Sequence, residues 1–306
     1  MKRHTVKILS GFWLKLIAML SMTIDHVGIF LCYMAQNTNL GENAMFTTGY
    51  MFRVVGRLAM PLFILLLVDG IRKTSNHIKY LARIGITMAV IMVFEAITFT
   101  YFNTAISYAQ SPFVDLFLIA ITLYLINRKD KYSYLSILPI GYVLLVTAVQ
   151  IYEMIPINGI THNILWLPFY IRPAYSLFGL ALGLAFYFSY YIVDRNLKAK
   201  GGFDDAKIEM IKDTDEYRVM VSGYIVAALI IVNVITFALG YLVIYDNHRI
   251  LDLYNFALQG YSVLASIFIL LYNGKRGYNK KWFKYGCYIY FPVHLILIFI
   301  IFFVIL

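Results

Sequence analysis

The chain has 306 residues, 61% of them hydrophobic and only 14% charged, with a mean hydropathy of +0.73. A soluble domain carries roughly 25% charged residues, so the composition excludes an ordinary soluble fold. It predicts an all-α, polytopic membrane helix bundle forming one domain over 1–306. The net charge of +10 does not point to nucleic acid, because the basic residues sit in short loops where membrane topology requires them.

About nine spans are predicted, over roughly 12–34, 52–71, 80–101, 108–127, 134–154, 173–194, 218–244, 257–273 and 285–305, each near the ~20 residues a bilayer needs. Lys and Arg crowd the N-terminus and every second loop (72–83, 128–131, 195–207 and 275–284). The alternating loops hold only Arg172 and Arg249. This asymmetry places the chain in the cell membrane, with its N-terminus cytoplasmic and its C-terminus outside. The first span is too long for a secretory leader and lacks a small-residue cleavage site, so it is expected to stay as an anchor. Trp13, Trp166 and Trp282 fall near predicted interfaces and read as anchors. The stretch 203–220 reads as a short amphipathic helix opening at Asp204 and Asp205, or as a solvated connector.

The first span carries Lys15, Asp25 and His26. Ionisable groups are expensive in hydrocarbon and mark functional sites by default. Lys15 and His26 are eleven residues apart, so they share a face with about 16 Å between them along the axis. Asp25 points about 100° away from His26; it either orients His26 indirectly or pairs with an arginine of span two. In that span Arg53 and Arg57 share a face. Pro61 frees the carbonyl near Arg57, predicting a kink or a polar pocket there. Asp69, near the cytoplasmic end, reads either as an ion-pair partner of Arg72 or Lys73 or as a functional group.

Glu95 and Asp115 lie at membrane depth and read as counter-ions for the buried cations. Arg172, just before span six, either joins an outer polar pocket or caps the span. His294 lies about ten residues into the last span, at a depth similar to that of His26, with Tyr288, Tyr290 and Pro292 just before it. No pair of histidines has metal-ligand spacing, and no His-Glu-x-x-His occurs, so no metal site is expected. Cys32 and Cys287 read as apolar filling. No phosphate loop, dinucleotide fingerprint or Gly-x-Ser-x-Gly elbow occurs.

The segments LKLIAMLSMTIDHVG (14–28), FRVVGRLAMPLFILLLVDGI (52–71), TSNHIKYLARI (74–84) and YIYFPVHLI (288–296) together resemble the TraX family. That resemblance implies a multi-span membrane acyltransferase. The founding activity of the family is N-terminal acetylation of pilin. The family is similar in turn to a wider group that includes the acyltransferase-3 proteins and the lysosomal heparan glucosaminide acetyltransferase. In acyltransferase-3 proteins a basic residue, ten residues and a histidine recur in the first span, which Lys15 and His26 match; Arg53 and Arg57 resemble the paired arginines of that group more loosely.

The expected reaction moves an acyl group, acetyl by preference, from cytoplasmic acyl-CoA to an amine or hydroxyl at the outer side. The acceptor is a peptide N-terminus, a glycan or a lipid head group. His26 is the expected general base or acyl carrier, with Asp25 and Arg57 beside it and Arg57 on the oxyanion. Lys15, Asp69, Arg72, Lys73, Lys79, Arg83, Tyr290 and His294 are the residues expected at the acyl-CoA site, with Lys280 and Lys281 nearby. Arg53, Glu95 and Arg172 are expected on the acceptor side. A transporter or channel using Lys15, Asp25, Glu95, Asp115 and the histidines as an ion path is the alternative.

Overall fold

The computed structural model describes residues 7–37, 42–101, 111–155, 163–244, 249, 251 and 255–302. Its helices are α1 (Gly11–Asn37), α2 (Glu42–Gly56), α3 (Ala59–Lys73), α4 (His77–Tyr101), α5 (Pro112–Ile126) and α6 (Ile137–Met154). They are followed by α7 (Ser176–Gly201), α8 (Asp205–Ile211), α9 (Asp215–Leu242), α10 (Phe256–Gln259), α11 (Ser266–Leu271) and α12 (Lys281–Ile300). Among the described residues there is no strand, and two isolated bridges join Leu9 to Tyr272 and Ser111 to Pro173. The three tryptophans are all exposed. Asp204 caps α8, accepting the Lys207 amide at 2.7 Å.

Seven segments of the described chain are long and apolar enough to cross a membrane, and the apolar stretches 112–126 and 257–271 are shorter. The expected count of nine therefore becomes seven full-length helices and two short ones. The 15 residues of α5 span about 22 Å, against ~30 Å of hydrocarbon. The 257–271 stretch is interrupted by a 3-10 segment, Gly260–Ala265. The second segment also begins earlier than expected: the polar-looking run from Glu42 is helical and packs along α1.

That packing is set by small residues, which let helix backbones approach closely. A Cβ added at Gly28 would lie 2.6 Å from the Gly49 carbonyl oxygen, and one at Gly56 would lie 2.1 Å from the Asp25 Cβ. Between α2 and α3 the helix breaks at Arg57 and Leu58. Pro61 cannot donate to the Arg57 carbonyl, and the Leu58 amide turns instead to Val55 O at 3.3 Å.

The basic loops gather at one end of the bundle. There residues 9–12 lie along the loop after α11, with Leu9 N donating to Leu271 O (3.0 Å), Asn273 N to Leu9 O (2.9 Å) and Gly11 N to Lys275 O (2.8 Å). Gly274, with φ at +72°, passes so close to Arg218 that a Cβ would meet the guanidinium.

Candidate active site

Three helices start at one depth inside the bundle. Ala59 and Met60 open α3, Pro112 and Phe113 open α5, and Tyr175 is the N-cap of α7. All five line one small cavity, together with Met22, Asp25, His26, Gly56, Phe63, Leu116 and Phe291. Irregular backbone is tolerated at membrane depth where it lines a cavity. Three N-termini facing one space also favour negative charge there.

His26 stands on the cavity wall, 15 residues above Gly11, or about 22 Å along α1. Its Nδ1 lies 2.8 Å from His294 Nε2, and His294 Nδ1 lies 3.0 Å from the Tyr290 carbonyl oxygen. A carbonyl only accepts, so His294 carries its proton on Nδ1 when neutral. Its Nε2 must then accept from His26 Nδ1–H, which leaves the lone pair of His26 on Nε2. Among the described residues nothing donates to that nitrogen. Phe291 presents its edge to both imidazoles, with ring centroids 6.3 and 5.2 Å away. One turn below, Thr23 donates to Met19 O (3.0 Å), so Tyr290 O–H donates to Thr23 Oγ1 (2.6 Å).

Asp25 turns away from His26 and takes the Arg57 guanidinium in a close ion pair, with Arg53 Nε 3.9 Å from its other oxygen. Of the two roles open to Asp25, the structure shows the arginine partner. Arg57 also donates to Tyr175 Oη (3.5 Å), Gln259 Oε1 (3.4 Å) and Arg53 O (3.3 Å). Gln259 is buried with its Nε2 unpartnered. Tyr175 and Gln259 carry no charge and follow no motif, so nothing in the sequence singles them out.

Glu95 and Asp115 are not counter-ions: among the described residues neither meets a cation. Glu95 is buried with Oε2 unpartnered. Asp115 spends both oxygens on the Tyr175 amide, at 3.0 and 3.2 Å, acting as a cap for α7. Arg172 sits apart from the cavity. It grips Glu153 at 2.6 and 3.0 Å and donates to Leu167 O and Ile164 O. Four of its five N–H groups are thereby used.

At the basic end Asp69 accepts from Lys73 (2.7 Å), Tyr272 (2.7 Å), Tyr190 (2.9 Å) and Arg218 (3.4 Å). Both its oxygens are saturated, so Asp69 has no free valence for a ligand. Arg72 lies over the Tyr190 ring at 4.1 Å and 4.0 Å from Asp194 rather than on Asp69. Lys7 reaches Ser222 Oγ at 2.8 Å, and burial and the neighbouring Arg218 charge push its ammonium down to about 8. Lys15, Lys79, Arg83, Arg276 and Lys284 meet no carboxylate among the described residues. Lys15 lies within electrostatic reach of Arg83 and Arg276, and Lys284 of all three. No three His, Cys, Asp or Glu side chains are placed to hold a metal among the described residues.

The TraX protein family matches residues 10–241, more than half of the chain. The chain belongs to the TraX family. The matched region holds Lys15, Asp25, His26, Arg53, Arg57 and Tyr175; Gln259, Tyr290 and His294 lie beyond it. The chain is also similar to a probable fimbrial assembly protein, FimC of serogroup H1, from Dichelobacter nodosus, at 31% identity over 107 residues. That likeness covers 35% of this chain and 37% of the relative, so the chain spans little more than a third of the relative it matches. No solved structure matches this TraX protein.

Proposed function

We propose that this TraX protein is a membrane-embedded acyltransferase that moves an acetyl group from acyl-CoA to an acceptor amine or hydroxyl. The observation that carries the reading is the His26–His294 pair, which leaves the lone pair of His26 on Nε2, on a residue that lines the cavity. A neutral imidazole with an unused ring nitrogen suits a general base. The cavity is small, about 40 Å³, which favours a short acyl group over a long one.

The basic end faces the cytoplasm in this reading, as the loop charges require. Lys15, Arg83, Arg276 and Lys284 meet no carboxylate among the described residues and lie within electrostatic reach of one another, and they suit the phosphates of CoA. Lys79, Lys280 and Lys281 extend that surface. Asp69, Lys73 and Arg72 hold helices together beneath it. The slim pantetheine arm then runs between α1 and α12, past the Thr23–Tyr290 pair, to the histidines. Arg53 and Glu95 face the acceptor side, and the acceptor enters from outside. The TraX family membership and the likeness to a fimbrial assembly protein favour an acceptor on a surface-assembly component.

Calorimetry of the detergent-purified protein with acetyl-CoA, beside free CoA and the His26→Ala variant, tests this. Saturable binding to both proteins, with thioester cleavage by the wild type alone, is the expected result. A folded protein that binds neither nucleotide would instead point to an ion path through the buried charges.

A further inference from the structure

Residues 173–176 are held with more apparatus than a helix start requires. Ser176 has φ at +40°, a conformation L side chains rarely adopt and one that persists where the surroundings enforce it. It is fully buried, and its hydroxyl lies 3.1 Å from both Gln150 Oε1 and Pro173 O. Pro173 is bridged to Ser111 at the start of α5. Asp115, buried and without a cation among the described residues, gives both carboxylate oxygens to the Tyr175 amide. A buried carboxyl group, a strained serine and an inter-segment bridge thus fix the backbone that carries Tyr175.

That side chain lines the cavity together with His26 and Asp25. Its oxygen accepts from Arg57 Nη1 at 3.5 Å, and its proton has no acceptor among the described residues. Asp25 Oδ1, on the same cavity wall, has no hydrogen-bond donor either, so the phenol proton is not spent there. Arg57 itself is turned to Asp25 and Gln259 and does not line the cavity. A hydroxyl whose oxygen already accepts a hydrogen bond from a cation is a stronger donor.

We propose that Tyr175 is a catalytic residue, the hydrogen-bond donor to the oxyanion, carrying the Arg57 charge into the cavity. The proposal rests on the acyltransferase reading above. The acceptor N–H or O–H gives its proton to His26 Nε2 as its heteroatom bonds to the thioester carbonyl carbon. The carbonyl π pair moves onto oxygen, where the Tyr175 O–H donates to it. Collapse re-forms the carbonyl and breaks the C–S bond, and the proton on His26 passes to the departing CoA sulfur.

The test follows release of CoA thiol from acetyl-CoA by the full chain in detergent, with water as acceptor. It compares the wild type, Tyr175→Phe, and a protein carrying 3-fluorotyrosine at position 175. Removing one oxyanion donor lowers kcat by about 10²–10³-fold; Tyr175→Phe should show this with KM unchanged. The fluorinated phenol is more acidic, so the alkaline fall in kcat should move to lower pH, which a structural tyrosine would not cause. This second variant keeps the ring and hydroxyl and decides the matter if Tyr175→Phe does not fold. Wild-type kcat in Tyr175→Phe, or an alkaline limb that does not move, overturns the assignment while leaving the acyltransferase reading in place. A folded wild type that neither binds nor cleaves acetyl-CoA overturns both.

Discussion

Two buried carboxylate–arginine clusters stand at different depths in the bundle, and they differ in unused valence. At the basic end Asp69 receives two donors on each oxygen, and its partners Tyr190, Tyr272 and Lys73 tie α3 to α7 and to the loop after α11. At mid-depth Asp25 and Arg57 form a closer pair than Asp69 and Arg218. Around it His26 Nε2, the Tyr175 proton, Asp25 Oδ1 and Gln259 Nε2 all lack partners among the described residues. Around Asp69 only Arg218 Nε lacks a partner among the described residues; burying a polar group without one is costly, so a carboxylate with every valence used serves to hold helices together, and the open groups beside the cavity suit a ligand. The Arg172–Glu153 pair belongs with the first kind.

The sharpest way to break this comparison is His26→Ala, which should lower acetyl transfer by roughly 10²–10⁴-fold, the span of general base catalysis, while acetyl-CoA binding persists. Asp69→Ala should do the reverse. It strands Lys73 and Arg218, and losing one partner of a buried pair costs about 3–5 kcal/mol. The expected result is a fall in the thermal midpoint in detergent, with kcat of the surviving folded fraction unchanged.

His294→Ala frees His26 to put its proton on Nε2. A wrong tautomer of a catalytic histidine costs orders of magnitude in other enzymes, and a loss near 10²-fold is expected here, with partial recovery in His294→Gln, whose amide oxygen can accept from His26 Nδ1–H. Equal loss in both variants would show that the tautomer is not what His294 supplies. Gly56→Ala drives a Cβ into Asp25, and overpacking of this kind costs about 1–3 kcal/mol. It should lower stability and kcat together, because the same shift moves the Arg57 pair.

The smallest effect concerns Lys7. Its folded-state pKa, about 8, lies below the ordinary lysine value of 10.5, so between those values the unfolded chain binds more protons. Stability contributed by this group therefore rises with pH across that window. Lys7→Met should remove that part of the slope in a series of melts from pH 8 to 10; an unchanged slope would mean the ammonium is not buried.

Much of the mid-depth site was legible because charge in hydrocarbon is conspicuous. Lys15, Asp25, His26, Arg57 and His294 each stand out for that reason, and counting from the helix ends put the two histidines level. Pro61 announced the break beside Arg57 through its missing N–H. Tyr175 and Gln259 were not legible: an uncharged polar side chain in an apolar chain carries no signal until a partner faces it. The partners of Glu95 and Asp115 were misjudged for a related reason. Charge balance says that a carboxylate needs compensation, and backbone amides at a helix start can supply what a cation would.

Of the nine expected spans, two are short helices among the described residues, where local chemistry shortened them. Ser111 and Pro112 start α5 late, and a 3-10 segment interrupts 257–271, although the hydropathy of both stretches is that of a full span. Composition and loop charge by themselves determined a multi-pass helical membrane protein with ionisable groups inside, since hydrocarbon enforces those rules on each segment separately. Which carboxylate meets which arginine, which histidine nitrogen keeps its lone pair, and which tyrosine faces the cavity were decided only by the tertiary structure, because each depends on side chains that are up to 268 residues apart in sequence and brought together by packing.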